Sequence, residues 1–289
     1  MRLPDPLEAL REPRSRLLFG SRTVSSFGGT MADIALAFAV LRIGSRVDLG
    51  YVIGAREVPT FAASALLLLG IRIPLAARSA GASVLADFRE GWTAFVSRRW
   101  VVGMVASFGL FQLATFPALL VLGPYVAKTK LGGPISWGTI LAVETAGAFL
   151  GGALALRLRF GRPLVACLVL SLPTAALLLV VGLAAPVWAI SCVAFVNGSC
   201  LSMGGAVWFS TLQEKIPEHL ISRISSFDWF GSVVFNPIGY VIIGPLSQLV
   251  GVAGALYLSA AVNATATLAV LGMPSVRGLR AGPELASDG

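Results

Sequence analysis

Charge is scarce in this chain. Of its 289 residues only 12% are Asp, Glu, Lys or Arg, while 56% are hydrophobic; an average soluble domain carries roughly 25% charged residues. So little charge cannot clothe a water-exposed surface, and a soluble globular fold is excluded. Histidine is rarer still, with His219 the single example. Cys167, Cys192 and Cys200 fall inside apolar runs without metal-ligand spacing and are expected to be free, buried thiols. The chain holds no G-x-S-x-G, H-E-x-x-H, C-x-x-C or G-x-x-x-x-G-K-[ST], so it is not expected to be an enzyme, or to use a cofactor or metal. An ATP-driven pump would need its ATPase on another chain.

The charge that remains is mostly positive, +8 net. It sits in short breaks between apolar runs and forms no continuous patch or arm, which argues against nucleic acid and for membrane-flanking anchors. The opening MRLPDPLEALREPRSR is polar, and the apolar run after it is too long for a signal-peptide core, so no cleavage is expected.

A transmembrane helix needs about 20 mainly apolar residues to cross roughly 30 Å of hydrocarbon. By that ruler the first span runs from Leu17 to Leu41, containing Arg22 and Asp33, and the second from Leu49 to Ile73, containing Arg56 and Glu57. The third, Trp100 to Ala127, carries no charge, and the fourth runs from Ile135 to Leu156 with Glu144 at mid-depth. Pro163 to Gln213 and Trp229 to Val276 are each too long for one crossing, with turn signals near Gly182 to Pro186 and Val250 to Gly254. The expectation is an all-α polytopic membrane protein of about eight transmembrane helices.

Orientation follows the Lys and Arg bias of short loops. With the N-terminus in the cytoplasm, only Arg42, Arg46, Lys128 and Lys130 of the 22 basic residues lie outside, and Arg22 and Arg56 lie within spans. Both termini are therefore expected on the cytoplasmic side of a bacterial inner membrane. Between spans two and three, Ser83 to Arg99 sets Val84, Leu85, Phe88, Trp92, Phe95 and Val96 opposite Asp87, Arg89, Glu90 and Arg98. That spacing predicts an amphipathic helix at the inner interface.

Several segments resemble the major facilitator superfamily, in particular its actinobacterial drug and siderophore exporters. LLFGSRTVSSFGGTMADIALAFAVL is similar to that branch's first helix, and DFREGWTAFVSRRW to the cytoplasmic linker ahead of its seventh. EKIPEHLISRISSFDWFGSVVFNPIGYVIIGPL resembles its eleventh helix and preceding loop, with Pro217, Arg223, Ser225, Asp228 and Pro237 in place. GALALRLRFGRP resembles a worn copy of the cytoplasmic signature G-x-L-A-D-R-x-G-R-R on Gly152, Leu154, Ala155, Arg157, Gly161 and Arg162. Leu156 takes the acidic position, so the aspartate's role is not carried over. Gly239 and Gly244-Pro245 weakly resemble the antiporter glycine-proline motif.

The resemblance implies a cytoplasmic tail (1–16), a two-helix remnant of the N-terminal half (17–74), a linker (75–99), a complete six-helix C-terminal half (100–274) and a second tail (275–289). Full-length members have two six-helix halves around a midplane cavity. DLGYVIGAREVP resembles the start of the second helix and FAASALLLLGIRIP the end of the sixth, joined near Pro59 to Phe61. The implied function is proton-coupled efflux of a small lipophilic compound or siderophore, impaired if the missing helices are needed. Two copies facing each other as a homodimer would restore a second wall. The competing reading is a non-transporting membrane protein, a decayed remnant or a scaffold.

Ionisable groups inside spans cost about 2.5 to 3.5 kcal/mol and need a reason. Glu144 and Asp33 are candidate proton or cation sites, or else hydrogen-bonded carboxyls within the bundle. Arg56 and Glu57 project about 100° apart on a helix, so each needs a partner other than its neighbour. Asp228, after Ser225 and Ser226, fits a helix N-cap. Gly147, Gly151 and Gly152 suit close helix packing, and Pro117, Pro173 and Pro237 suit kinks. Trp100, Trp137, Trp188 and Trp229 suit interfacial anchoring, and Asn197, Ser199 and Ser202 suit interhelical hydrogen bonds or substrate contact.

Alkaline carbonate extraction checks the class directly. The chain should stay with the membrane pellet, and recovery in the aqueous supernatant would refute a lipid-embedded fold.

Overall fold

The computed structural model describes residues 32–56, 59 and 84–282, with side chains from 88 onward in the second block's first helix. The start of the first span with Met31 and Arg22, Glu57, the junction at Thr60 and Phe61, the chain to 83, the side chains of Val84, Leu85 and Asp87, and the tail from 283 lie outside the described residues. What is described is helical, with no strand among the described residues. Among the described residues five helical segments are long and apolar enough to cross a membrane: Arg99–Lys130, Pro134–Ala155, Pro163–Gly182, Val187–Lys215 and Glu218–Leu271.

In chain order the helices are α1 (32–43), α2 (46–56), α3 (Val84–Ser97), α4 (Arg99–Lys130), α5 (Pro134–Ala155), α6 (Pro163–Gly182), α7 (Val187–Lys215), α8 (Glu218–Val233), α9 (Asn236–Leu271) and the short α10 (Pro274–Arg277). Proline opens α5 and α6 at the first position, where its missing N–H is not needed. The turn between α6 and α7 falls at 183–186, with Ala184 at φ 48. α9 runs 36 residues as two helices that meet at a kink. It is broken at Gly251, where φ is 77 and ψ 161, a conformation that suits glycine.

α4 departs from regular geometry around Pro117. Phe111–Thr115 and Ala118–Leu122 are π-helical turns on either side of it. Proline has no N–H for the α-register bond to the Leu113 carbonyl, and its ring crowds that same oxygen; widened turns absorb both demands. Against that carbonyl and the Pro117 ring lies Gly239 of α9, so close that an added Cβ would overlap the oxygen.

Two further helix pairs are held backbone to backbone by glycine. In the α5/α7 pair, Gly147 lies on the Phe195 carbonyl, Gly151 on the Ser199 carbonyl and Gly198 on the Glu144 carbonyl, with no room for a Cβ at any of them. In the α2/α9 pair, Gly50 lies on the Tyr240 carbonyl, and a Cβ at Gly54 would sit 3.4 Å from the Pro237 oxygen. Small residues four apart allow such approaches in lipid, where packing and not water exclusion drives helix association.

The α1/α2 hairpin turns through Gly44 and Ser45. The Asp48 carboxylate accepts the Ser45 N–H and Oγ–H, each at 2.8 Å, while Ser45 Oγ accepts the Asp48 N–H at 3.3 Å. This is a reciprocal capping box, and the backbone hydrogen bond chiefly holds the Asp48 carboxyl below the usual carboxylate range. Beside it Arg46 donates to Ser247 Oγ at 2.7 Å and to the Tyr125 hydroxyl at 3.1 Å. Lys128 donates to the Leu41 carbonyl. The hairpin is thereby pinned to α4 and α9 at the end that carries Arg42, Arg46, Lys128 and Lys130.

α3 matches the amphipathic helix of the sequence reading. Phe88, Trp92 and Phe95 pack around Phe227 of α8 with ring centroids 5.3 to 5.7 Å away, and Arg223 pairs with Glu90.

The apolar core is in two blocks. One holds Leu41, Leu49, Trp137, Leu178, Val181, Ile190, Leu256 and Ala260; the other holds Val101, Met104, Leu164, Leu168, Trp208, Leu212, Val270 and Val276. Along each of α4, α6, α7 and the second part of α9 the two blocks are separated by buried polar residues: Thr115, Thr174, Asn197, and Asn263 with Thr267. A polar belt thus crosses the middle of the bundle.

Gly151→Leu should lower the unfolding midpoint in detergent by the equivalent of about 3 kcal/mol or more, because it drives a side chain into the backbone of α7. Gly138, with nothing within 4 Å of an added Cβ, should tolerate alanine with a change between zero and about 1 kcal/mol of stabilisation. Thermal unfolding followed by circular dichroism compares the two variants.

Candidate functional site

At the level of the polar belt a cavity of about 810 Å³ opens between α1, α2 and α4 to α9. That lies within the size range of small-molecule sites. Its walls are largely apolar and aromatic, with Phe116, Leu120, Trp137, Leu141, Leu201 and Trp229 among them. Polar groups enter at a few points only: Asp33 and Arg56 on the hairpin, Gln112 on α4, Glu144 and Thr145 on α5, Ser202 on α7, and Asn236 and Tyr240 on α9.

Three of the four candidate site acids and bases therefore meet at one cavity. Asp33 and Arg56 face each other across the hairpin, with the guanidinium 2.7 Å from the carboxylate. They are 23 residues apart, and the antiparallel return of α2 along α1 brings them level. This supplies the partner that the Arg56/Glu57 spacing demanded. Both side chains stay more than 40% exposed, at 45% and 42%, so the pair faces open space. Glu57, the fourth, lies outside the described residues.

Glu144 is held from behind. Asn197 Nδ2 donates to its Oε1 at 2.8 Å, and Thr174 Oγ1 donates to Asn197 Oδ1 at 2.6 Å. Thr174 sets which way the Asn197 amide points, and the amide then presents its donor to the carboxylate. The chain spans three helices because Gly198, next to Asn197, seats α7 on the Glu144 carbonyl. Ser199 Oγ also donates across the seam to the Gly147 carbonyl at 2.9 Å. Asn197 and Thr174 are fully buried, whereas Glu144 reaches the cavity.

Other expectations are corrected. Asp228 does not cap a helix: α8 begins after Pro217, and Asp228, buried in its interior, accepts the Trp208 Nε1–H at 3.0 Å. Phe108 and Trp100 stack edge-on to the same indole, so Asp228 ties α8 to α7 and does not reach the cavity. Trp137 is no interfacial anchor; it is 3% exposed, and its ring fills the slot left by Gly123. Trp188 and Trp229 are exposed, Trp229 at the cavity wall. The three cysteines are free, but only Cys167 is buried, while Cys192 faces outward. The signature-like loop lies away from the cavity, with Arg157, Gly161 and Arg162 exposed and Gly152 half-buried at the end of α5.

Neither family models, nor curated proteins, nor solved structures match this chain.

Sequence reading passed over Gln112, Asn236 and Tyr240. A signal existed for Gln112, the single side-chain amide in the charge-free run from Trp100 to Ala127. For Asn236 and Tyr240 the register of α9 against the hairpin decides, and no local pattern encodes it.

A double-mutant cycle on Glu144→Gln and Asn197→Ala should return a coupling of about 1 to 2 kcal/mol, in the upper range for a side-chain hydrogen bond in a membrane bundle. The same cycle on Asp33→Asn and Arg56→Gln should give less than about 1 kcal/mol, since that pair is exposed. Unfolding in detergent micelles measures both, and equal couplings would contradict the assigned burial.

Proposed function

We propose that this chain is a multi-pass inner-membrane protein of the major facilitator type that moves a small lipophilic, protonatable compound by coupling it to protons at Glu144. The observation that carries this reading is a largely apolar, aromatic-walled cavity in which one carboxylate, Glu144, is backed by the Asn197 amide while the other, Asp33, is neutralised by Arg56. Glu144 is then the acid at the cavity wall with no cationic partner among the described residues. A compound carrying positive charge would displace a proton from it, and an arriving proton would displace the compound. That exchange is antiport in chemical outline, and efflux follows if the proton enters from outside.

The resemblance of the quoted segments to exporters supports the same reading, with eight spans, both termini in the cytoplasm and a six-helix unit from Trp100 onward. A bundle whose partner half is reduced to one hairpin supports pairing of two copies across the cavity. No cofactor is invoked.

The test uses purified chain in liposomes with an imposed pH gradient. Fluorescent lipophilic cations and ferric siderophores should be exchanged for protons by the wild type, and Glu144→Gln should reduce exchange by at least about tenfold, as loss of an essential proton site would. Arg56→Gln should weaken exchange less. If no compound moves and Glu144→Gln matches wild type in every assay, the non-transporting reading replaces this one.

A further inference from the structure

Two arginine-bearing segments, far apart in the chain, are tied together at the end of the bundle away from the Arg46 clasp. The chain after α9 folds back as a strap: Val276 is fully buried, Ala281 N–H donates to the Gly161 carbonyl at 3.2 Å, and Gly282 is gripped on both sides. Its N–H donates to Glu214 Oε1 at 2.7 Å, and Lys215 Nζ donates to its carbonyl. Arg280 and Arg162 each stand one residue from the Ala281–Gly161 bond. That places their backbones within about 11 Å of each other, given 3.8 Å per residue step. Arg157, Arg159 and Arg277 complete an exposed group.

None of these five guanidinium groups has a carboxylate within ion-pair distance among the described residues. The one acid tied to the strap, Glu214, is engaged by the Gly282 N–H and lies 4.0 Å from Lys215. Like charges gathered in this way repel one another, and an anion would relieve the repulsion. The neighbouring side chains say which kind. In the run Leu156-Arg157-Leu158-Arg159 all four residues are exposed, the leucines at 64% and 46%, directly after the end of the membrane-length helix α5. Basic heads beside bare aliphatic side chains at the end of a span match an amphiphile with a phosphate head and hydrocarbon tails.

We propose that this end of the bundle binds an anionic phospholipid, its phosphate between Arg162 and Arg280 and its acyl chains along Leu156 and Leu158. The strap builds the site, because the Ala281–Gly161 bond brings Arg280 to the α5/α6 loop and the grip of α7 on Gly282 holds it there. The site is distinct from the cavity and holds whether or not the chain transports.

Delipidated full-length chain in neutral detergent is titrated with dioctanoyl phosphatidylglycerol, dioctanoyl phosphatidylcholine or inorganic phosphate, with the thermal unfolding midpoint as readout. Phosphatidylglycerol should raise the midpoint saturably. Arg162→Ala with Arg280→Ala should shift half-saturation about thirtyfold upward, at roughly a fivefold step per arginine near a lipid head group. The lysine pair at the same positions should stay within about threefold of wild type, since charge is kept. Leu156→Ser with Leu158→Ser should weaken phosphatidylglycerol binding with the arginines intact, which keeps the test decisive if the alanine pair fails to fold. Arg42→Ala with Lys130→Ala, at the other end, should change nothing. The proposal is overturned if phosphatidylcholine stabilises equally, if inorganic phosphate alone reproduces the effect at the same concentrations, or if the opposite-end variant loses as much as the Arg162/Arg280 pair.

Discussion

A carboxylate in the middle of a helix bundle built for lipid must be met by donors, because hydrocarbon offers none. In this chain the obligation falls on Glu144, and much of the architecture around it can be traced to meeting it. Asn197 reaches Glu144 Oε1 at 2.8 Å only because α5 and α7 touch backbone to backbone through Gly147, Gly151 and Gly198. With alanine or larger at those sites the helices would stand further apart and the amide would fall short. Thr174, on a third helix, then fixes the amide. Packing and polar satisfaction are thus one constraint: the glycines do not merely allow close contact, they place a hydrogen bond.

The same logic extends across the bundle. Soluble proteins concentrate apolar side chains at the centre and polar ones outside; here two apolar blocks sandwich a polar layer. Within that layer Ser171 Oγ and Thr267 Oγ1 are 3.2 Å apart, and Thr267 donates to Asn263 Oδ1 at 3.3 Å. Thr115 Oγ1 and Asn263 Nδ2, both buried, have no partner among the described residues. Burying such groups unpaired costs of order 1 to 3 kcal/mol each, and stability alone would favour leucine at every one of these positions. The layer meets the cavity through Asn197 and Glu144, and an ionisable group so placed is the first place to look for a site.

How much of this could be read from residues depends on the range of each signal. The breaks at 183–186 and Gly251 were legible because Gly and Pro punctuate locally, and the amphipathic α3 because its aromatics repeat at helical spacing. The α5 glycine seam was legible as a need for some close neighbour, without naming α7. Asp228 misled because Ser225, Ser226 and Asp228 imitate a cap, although the helix had begun at Pro217, and the Trp208 indole that claims the carboxylate is 20 residues away. Trp137 misled for a related reason: proximity to the start of a span suggested an interface, and the slot that receives its ring is made by Gly123 on another helix. The Asp33–Arg56 pair was half legible. Spacing showed that Arg56 needed a partner beyond Glu57, and the hairpin's closure chose Asp33.

The cavity itself follows from where the close contacts are not. The α1/α2 hairpin leans on α9 through Gly50 and Gly54 and is clasped to α4 and α9 by Arg46 and Lys128. α5 leans on α7 through its own glycines. Neither backbone contact runs between the hairpin and α5, so the two walls stand apart, with Asp33 and Arg56 on one and Glu144 on the other. Because each wall is positioned by main chain and not by compressible side chains, the gap cannot close by rotamer changes alone; narrowing it requires a helix pair to move as a unit. An ion pair more than 40% exposed on one side of that gap costs far less facing water or protein than facing acyl chains. Whatever covers the open side of the cavity must therefore be polar where it meets Asp33 and Arg56 and apolar where it meets Leu120, Leu141 and Leu201.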